Sequence, residues 1–197
     1  MYKRQQDGRA RRQQDIFDLN RTKLIDTAVD VINEVGDIRE VTLTQIAKEA
    51  GVSPATAYNH FPDRMEDVFS AIVHARMDVA ANMGATLADE SLSVIEKLKQ
   101  IPVTYAENLV SLGYAGKVIV VQMFNLVNVN KWLDQDPVQA ITALLSNSDQ
   151  YQDRADEIAV NIATAFRGAM FEYALNIGDH ELFNSCLLYT SDAADEV

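Results

Sequence analysis

The chain has 197 residues, of which 48% are hydrophobic and 23% are charged, and its formal net charge is −12. This composition is typical of a folded globular protein, and eight glycines and four prolines exclude collagen-like or low-complexity character. A single cysteine excludes an internal disulfide framework. The apolar run at 118–121 is far shorter than the ~20 residues of a membrane-spanning helix. Since no leader pattern opens the chain, we expect a cytoplasmic protein that makes no membrane contact.

Both ends of the chain resemble translated sequencing-adaptor sequence rather than natural protein. The stretches concerned are residues 1–5 and 186–197. The alternative for the second stretch is a natural terminal helix, because Leu187, Leu188 and Tyr189 are apolar enough to extend one. We expect a flexible amino-terminal arm over 1–16 and an adaptor-derived tail over 186–197.

Charge is unevenly distributed along the chain. Residues 1–64 contain ten basic and ten acidic side chains, whereas the remaining residues contain seven basic and 19 acidic ones. An acidic body is repelled by phosphate, so a contact with nucleic acid must come from the amino-terminal part. Arg9, Arg11 and Arg12 are consistent both with a solvated tail and with an arm that touches DNA.

The amino-terminal part predicts three compact helices. Apolar residues recur at helical spacing over 21–35, and Gly36 follows where a helix is expected to end. Thr42 and Gln45 form the T-x-x-Q pattern of a capping box that opens a second helix. After a tight turn at Gly51, the pair Ser53-Pro54 predicts the start of a short third helix. Two short helices around a glycine-containing turn indicate a helix-turn-helix.

The same stretch, TLTQIAKEAGVSPATAYNHF over 42–61, resembles the DNA-binding segment of the TetR (tetracycline-repressor-like) family. Its motifs are I-A-x-x-A-G-V-S followed by T-x-Y-x-H-F, and the resemblance covers about residues 21–70. The chain departs from the usual pattern at Ala57, where a larger apolar residue is common, and at Arg64, where lysine is common. The resemblance implies an all-α protein with a three-helix DNA-binding domain at 17–62 and a larger helical effector-binding and dimerisation domain at 63–185.

The third helix predicts a surface that reads DNA. Small or hydroxylated residues at its start permit close approach to a major groove, and an asparagine one turn later can pair with adenine. Polar tips on the flanking residues suit phosphate contacts. The predicted base-reading residues are Pro54, Ala55, Thr56 and Asn59, to which the resemblance adds Thr44, and the predicted phosphate contacts are Thr42, Ser53, Tyr58, His60 and Arg64. Alternatively, Tyr58 is a half-buried core aromatic and His60 merely a polar residue at a helix end.

The acidic part is also predicted to be helical. Apolar stripes indicate helices over 93–112, 117–129, 136–145 and 153–177, and a single helix over 63–83 is expected to connect the two domains rigidly. Kinked helices often leave a ligand cavity, whose candidate lining is His74, Tyr105, Tyr114, Met123, Phe124, Asn128 and Trp132, although ordinary core packing explains most of these residues equally well. The resemblance implies dimerisation through the last two helices, with Ile158, Ile162, Ala165, Phe166, Ala169 and Tyr173 on the first of them.

No catalytic or metal-binding motif accompanies these features. The sequence lacks G-x-S-x-G, P-loop and H-E-x-x-H patterns, so we expect no enzyme activity, metal or cofactor. The prediction is a homodimeric repressor that leaves a palindromic stretch of double-stranded DNA when a small apolar effector binds. The alternative is a helical protein-interaction module whose helix-turn-helix no longer reads a specific DNA site.

Overall fold

A computed structural model describes residues 2–77, 79–125 and 137–175, and over these residues the protein is all-α, as predicted. Two short 3-10 helices, Ile38–Glu40 and Gln152–Arg154, precede α2 and α9. None of the helices in the described part is long and apolar enough to cross a membrane. The α-helices are α1 (Tyr2–Val35), α2 (Leu43–Glu49), α3 (Pro54–His60), α4 (Met65–Arg76), α5 (Val79–Ala88), α6 (Val94–Ser111), α7 (Tyr114–Asn125), α8 (Pro137–Ser146) and α9 (Ala155–Leu175).

The chain divides into two compact units, an amino-terminal unit over 1–72 and a carboxy-terminal unit over 73–197. The division falls inside α4, later than the expected domain boundary at residue 63. The predicted boundary therefore differs from the division by contacts, because the first half of α4 contributes its buried side chains, among them Val68 and Phe69, to the amino-terminal unit.

The first helix is much longer than its apolar stripe. It continues back to Tyr2, so the segment expected to be a flexible arm is helical. The residues concerned are rich in Gln and Arg, which have high helix propensity, and Gly8 is the poorest helix former among them. Arg9, Arg11 and Arg12 are exposed on this extension.

The core of the amino-terminal unit is formed where α1, α2 and α3 pack together. Leu24, Ile32, Ile46, Ala57 and Phe61 are fully buried there. The stripes of the three amphipathic helices meet at this core, which is why such short helices are stable in this unit although they would be marginal alone.

The turn between α2 and α3 has the predicted glycine geometry. Gly51 has a φ of +66°, a left-handed conformation that costs other residues more than glycine. Its N–H donates to the Lys48 carbonyl at 3.1 Å, and the Val52 N–H donates to the Ala47 carbonyl at 2.9 Å. These bonds close α2 and direct the chain into α3 within three residues.

The single helix expected over 63–83 is wrong, because two helices occupy this stretch. Residues 62–64 form a turn, α4 ends at Arg76, and α5 begins at Val79. Met77 lies outside both helices, where the helical run is interrupted, and it is buried, with only 1% of its surface exposed. No glycine or proline marks this point in the sequence, and therefore the apolar periodicity gave no sign of it.

The carboxy-terminal unit contains the predicted helices. Ser93 accepts the Glu96 N–H at 3.2 Å, and Glu96 accepts the Ser93 N–H at 2.7 Å, which completes a capping box at the start of α6. α9 packs along α7 and α8, and an edge-to-face contact between Tyr105 of α6 and Phe166 of α9 lies in the core with ring centroids 5.6 Å apart. The predicted helix over 117–129 is helical in its described part, as α7.

Candidate nucleic-acid interface

Both helices of the helix-turn-helix begin with a side-chain cap. Thr42 Oγ1 accepts the Gln45 N–H at 3.2 Å at the start of α2, which is the first half of the predicted capping box. Ser53 Oγ accepts the Thr56 N–H at 3.1 Å at the start of α3, and Pro54 occupies the first helical position. These local bonds fix where the two helices start, as the sequence predicted.

The start of α3 presents small side chains to solvent. Pro54, Ala55 and Asn59 are exposed, whereas Ala57 is fully buried and faces the core. The Thr56 hydroxyl lies 2.8 Å from Ser53 Oγ, so it is already hydrogen-bonded within the protein. Three of the predicted base-reading residues therefore lie exposed on one short helix, and Thr56 reaches a base edge only by sharing or exchanging its bond with Ser53.

Tyr58 of α3 lies close to Thr44 of α2 and to Arg64 in the turn before α4. Its side chain is 39% exposed, and its hydroxyl lies 3.4 Å from Thr44 Oγ1 of α2. The guanidinium carbon of Arg64 lies 6.0 Å from the centre of the Tyr58 ring, at the outer limit of a cation–π contact. The structure thus brings together Thr44, Tyr58 and Arg64, all predicted DNA contacts, and places a hydroxyl and a cation at this edge of α3.

Arg64 has an unusual backbone. Its φ is +57°, and it is the one non-glycine residue with a positive φ that the structure records in the described part. For a residue with a Cβ atom this conformation is strained by ~1 kcal/mol or more, and such strain is concentrated at functional sites. The strained turn presents the exposed Arg64 side chain directly before α4 begins at Met65.

His60 does not lie on the exposed surface. It is 5% exposed, its ring centroid lies 4.0 Å from that of Phe17, and neither ring nitrogen has a hydrogen-bond partner among the described residues. Burial lowers the pKa of His60 below its usual value of 6.5, and the nearby Arg21 cation lowers it further while Asp18 opposes the shift. A neutral, buried imidazole cannot reach a phosphate, so the predicted phosphate contact of His60 is wrong for this conformation.

Two residues of α1 that the sequence analysis did not select also contact the end of α3. They are Phe17, which stacks on His60, and Arg21, whose Nη1 donates to the His60 carbonyl at 3.2 Å. Their signal in the sequence is spacing: counting back from Leu24 and Ala28, positions 21 and 17 continue the inward stripe of α1 by one more turn.

The predicted effector-pocket residues differ in how far they are buried. Tyr105 is buried against Phe166, Met123 is partly buried, and His74 and Tyr114 are exposed. Phe124 belongs to α7, whereas Asn128 and Trp132 lie outside the described residues. The core contact of Tyr105 is ordinary aromatic packing, the alternative that the sequence left open. Over the described ranges, no group of three or more His, Cys, Asp or Glu side chains is placed to hold a metal ion.

The predicted dimer residues lie mainly on the inward side of α9. Ile158, Phe166, Ala169 and Tyr173 are buried by the protein's own helices, and the Lys117 ammonium of α7 lies 5.0 Å from the Tyr173 ring centre. Burial raises the pKa of the Tyr173 phenol. Ile162 is partly buried and Ala165 is exposed, whereas the expected second helix, from residue 181 onward, lies outside the described residues. The four buried side chains present no surface to a second copy in this structure.

The comparison with protein families matches part of the amino-terminal unit. Residues 24–72 match the family model of bacterial regulatory proteins of the tetR family. The chain is 35% identical over 69 residues to the HTH-type transcriptional regulator BetI of Brucella anthropi, a stretch covering 35% of each protein. It is 36% identical over 78 residues to BetI of Klebsiella pneumoniae, covering 38% of this chain and 40% of that one.

The matched stretch is short relative to these proteins, since the alignments span about a third to two fifths of the length of the curated relatives. The similarity includes α2 and α3 with their caps, the Gly51 turn and the exposed start of α3. Outside this stretch, the described residues agree with the resemblance in being all-α. The helix-turn-helix of this chain is therefore similar to that of bacterial regulatory proteins of the tetR family.

Proposed function

We propose that the protein is a TetR-like, DNA-binding transcriptional regulator that binds duplex DNA through α3. The observation that carries the proposal is the exposed side of α3, where Pro54 and Ala55 at its start and Asn59 in its last turn face solvent within the stretch that matches the tetR family. A helix of this size with small leading side chains fits a major groove, and an asparagine can donate to and accept from an adenine edge.

The exposed edge around Tyr58 supports the same proposal. The hydroxyls of Thr42 and Tyr58 and the guanidinium of Arg64 are donors of the kind that contact phosphate and set the register of a protein on DNA. Because phosphates carry no sequence information, these residues contribute affinity for all duplexes, while Asn59 contributes the discrimination between base pairs.

The test is selection of a duplex from a random pool by the unmodified protein, followed by titrations with single-base variants of that duplex. Arg64→Ala should weaken binding to every variant by a similar factor and should reduce the salt dependence of binding. Asn59→Ala should instead remove ~1–3 kcal/mol of discrimination at one base pair. Asn33→Ala, which removes an exposed asparagine from α1, is the matched control and should change neither property.

Two outcomes would contradict the assignment. If Arg64→Ala changed base preference while Asn59→Ala did not, the roles of the two residues would have to be exchanged. If the unmodified protein selected no sequence and bound all duplexes weakly, the helix-turn-helix would lack specific readout, and a helical protein-interaction module would be the better description.

The proposal includes a homodimer on a palindromic site, because a two-turn helix such as α3 reads too few base pairs for specificity by itself. α9 carries a second stripe that its own chain leaves exposed, spaced for one side of a helix and mainly apolar. Its members are Val160, Thr164, Gly168, Phe171 and Leu175. The small Thr164 and Gly168 permit close approach of a second helix, and we propose this stripe as the surface that a second copy covers.

Light scattering across micromolar concentrations tests this surface. Phe171→Glu should shift the protein toward monomer, because it places a charge within an apolar contact. Ala143→Glu, on the exposed side of α8, adds the same charge elsewhere and should leave assembly unchanged. A dimer that survives Phe171→Glu unaltered would exclude this face, and an unmodified protein that is monomeric throughout would exclude the dimer.

Repression that is relieved by a small apolar effector completes the proposal. The partly buried Met123 remains a candidate pocket residue, whereas Tyr105 is engaged in core packing with Phe166. The mechanism cannot use a continuous helix over 63–83, since α4 and α5 are separate. Apolar compounds should be screened for both thermal stabilisation and loss of duplex binding; compounds that stabilise the protein without releasing the duplex would establish a pocket and refute the switch.

A further inference from the structure

The carboxyl end of α3 is held by a residue from another helix. Arg21 of α1 donates from Nη1 to the His60 carbonyl oxygen at 3.2 Å, and its guanidinium carbon lies 5.0 Å above the ring centre of Phe61. The last carbonyls of a helix have no partners within the helix and carry partial negative charge. A guanidinium at this point therefore provides both a hydrogen bond and a favourable charge.

A second contact lies one turn earlier on α1. The Phe17 ring covers the His60 ring at a centroid distance of 4.0 Å, with the ring planes tilted by 41°. Phe17 is itself 43% exposed, so one aromatic side chain separates the buried imidazole from solvent on this side. Because neither nitrogen of His60 is hydrogen-bonded within the described residues, packing alone holds the ring.

The need for such contacts follows from the length of α3. A helix of seven residues cannot form by itself in water, so neighbouring elements must determine its direction and its last turn. Ser53 fixes the start of α3, while Phe17 and Arg21, which we call the α1 clasp, contact its final residue. Tyr58 and Asn59 lie directly before that residue.

We propose that Phe17 and Arg21 are positioning residues for DNA recognition, which hold the last turn of α3 so that Tyr58 and Asn59 face the duplex. The inference rests on the proposed function, and it concerns residues that do not touch DNA. Removing the clasp does not change any residue on the exposed side of α3, but it loosens the last turn, which carries Tyr58 and Asn59.

The clasp also controls the charge of His60. Burial under Phe17 and the neighbouring Arg21 cation both favour the neutral imidazole, and Asp18 of α1 is the charged group that opposes them. A protonated His60 would place a second cation beside Arg21 in a buried site. Removing only the charge of Arg21 should therefore raise the pKa of His60, which a purely apolar packing role would not do.

The experiment compares the clasp variants with controls from the same helix. Arg21→Ala removes the bond and the charge, Arg21→Gln keeps an N–H donor without the charge, and Phe17→Ala uncovers His60. Lys23→Ala and Ile16→Ala are the matched controls, since both residues are exposed on α1 close to the clasp. Arg21→Lys serves as the milder variant should Arg21→Ala fail to fold.

Two measurements on the free protein test the clasp itself. Amide hydrogen exchange in the last turn of α3 should accelerate by about tenfold in Arg21→Ala and Phe17→Ala, as expected for loss of a charged hydrogen bond or a buried contact, and should stay constant in the controls. In NMR titrations the pKa of His60 should rise in Arg21→Gln and stay constant in Lys23→Ala. Unchanged exchange in both clasp variants would overturn the proposal.

The third measurement uses the duplex that the unmodified protein selects from a random pool. Arg21→Ala should lower affinity by about tenfold and also reduce the discrimination that depends on Asn59, whereas Lys23→Ala should preserve discrimination. Equal losses in Arg21→Ala and Lys23→Ala would mean a general charge effect and refute positioning. If the protein selects no duplex at all, the proposed function fails, and the positioning role in DNA recognition fails with it. The hydrogen-exchange and titration results would still decide whether the clasp holds α3.

Discussion

Gly116 is predicted to be the least replaceable glycine of the helices. It lies buried in the first turn of α7, where a Cβ atom built on its backbone would overlap the carbonyl oxygen of Leu109 in α6 and lie 3.4 Å from Leu112 Cβ. The obstacle is backbone, and the same Leu109 carbonyl accepts the Leu112 N–H at 3.2 Å. The substitution Gly116→Ala therefore forces α6 and α7 apart or breaks the end of α6.

The matched control is Gly84→Ala in α5. Gly84 is exposed and has nothing within 4 Å of an added Cβ, so alanine should stabilise by ~0.5–1 kcal/mol through helix propensity. In Gly116→Ala the same gain is outweighed by overpacking of ~1–3 kcal/mol or more. Since the gain from helix propensity is common to both variants, their free energies of unfolding should differ by the overpacking cost of ~1–3 kcal/mol or more, with opposite signs relative to the unmodified protein.

Urea unfolding followed by circular dichroism measures this difference, with hydrogen exchange in α6 and α7 to assign it to the carboxy-terminal unit. A Gly116→Ala protein as stable as the unmodified one would refute the close approach of α7 to the Leu109 carbonyl. A destabilised Gly84→Ala protein would refute the view that α5 has open space at this position.

Three further predictions concern the amino-terminal unit. Ser53→Ala should lower the free energy of unfolding by ~1 kcal/mol, because the Thr56 N–H loses its cap, and urea titrations should show no loss if the cap is unimportant. Because the pKa of His60 is lowered in the folded protein, the unfolded chain takes up the proton at a higher pH than the folded protein does. Stability should therefore fall as pH drops below about 6.5, with a limiting slope of ~1.4 kcal/mol per pH unit, and His60→Asn should abolish this dependence. Hydrogen bonds from the side chain and the backbone N–H of Arg39 lower the pKa of the Asp37 carboxyl from 3.8 to about 2, so its cap should persist above pH 3.8 and be lost only as pH falls through about 2. Arg39→Ala removes the side-chain bonds and keeps the backbone bond, so carbon NMR should show the pKa of Asp37 rising towards its ordinary value without reaching it.

The start and end of the short helices were predictable because their signals lie within four residues. A hydroxyl at Thr42 or Ser53 reaches an N–H three positions later, and Gly51 supplies the left-handed turn between α2 and α3. Such interactions do not depend on the rest of the molecule, so the sequence alone determines them. Most of the exposed side of α3 follows from these bounds, because its inward side is occupied by Ala57.

The placement of His60 and the interruption at Met77 were not predictable in this way. A histidine at the end of a helix and a methionine between Arg76 and Asp78 are compatible with either exposure or burial. The burial of His60 depends on a residue far along the chain, as its contact with Phe17 shows. Tertiary packing determines the burial of both residues, and the neighbouring sequence gives no indication of it.

α9 shows why the predicted dimer surface was assigned to the inward side. Apolar residues lie on two sides of this helix, one including Phe166 and Tyr173 and the other including Val160, Phe171 and Leu175. Periodicity identifies both stripes, but it does not tell which one the chain covers with its own helices. The chain's own core takes the stripe that meets the aromatic Tyr105 of α6, because burial within one chain requires no association of two molecules. A surface for a second copy must consequently be sought among the apolar residues that remain exposed after folding, which on α9 means the side of Phe171.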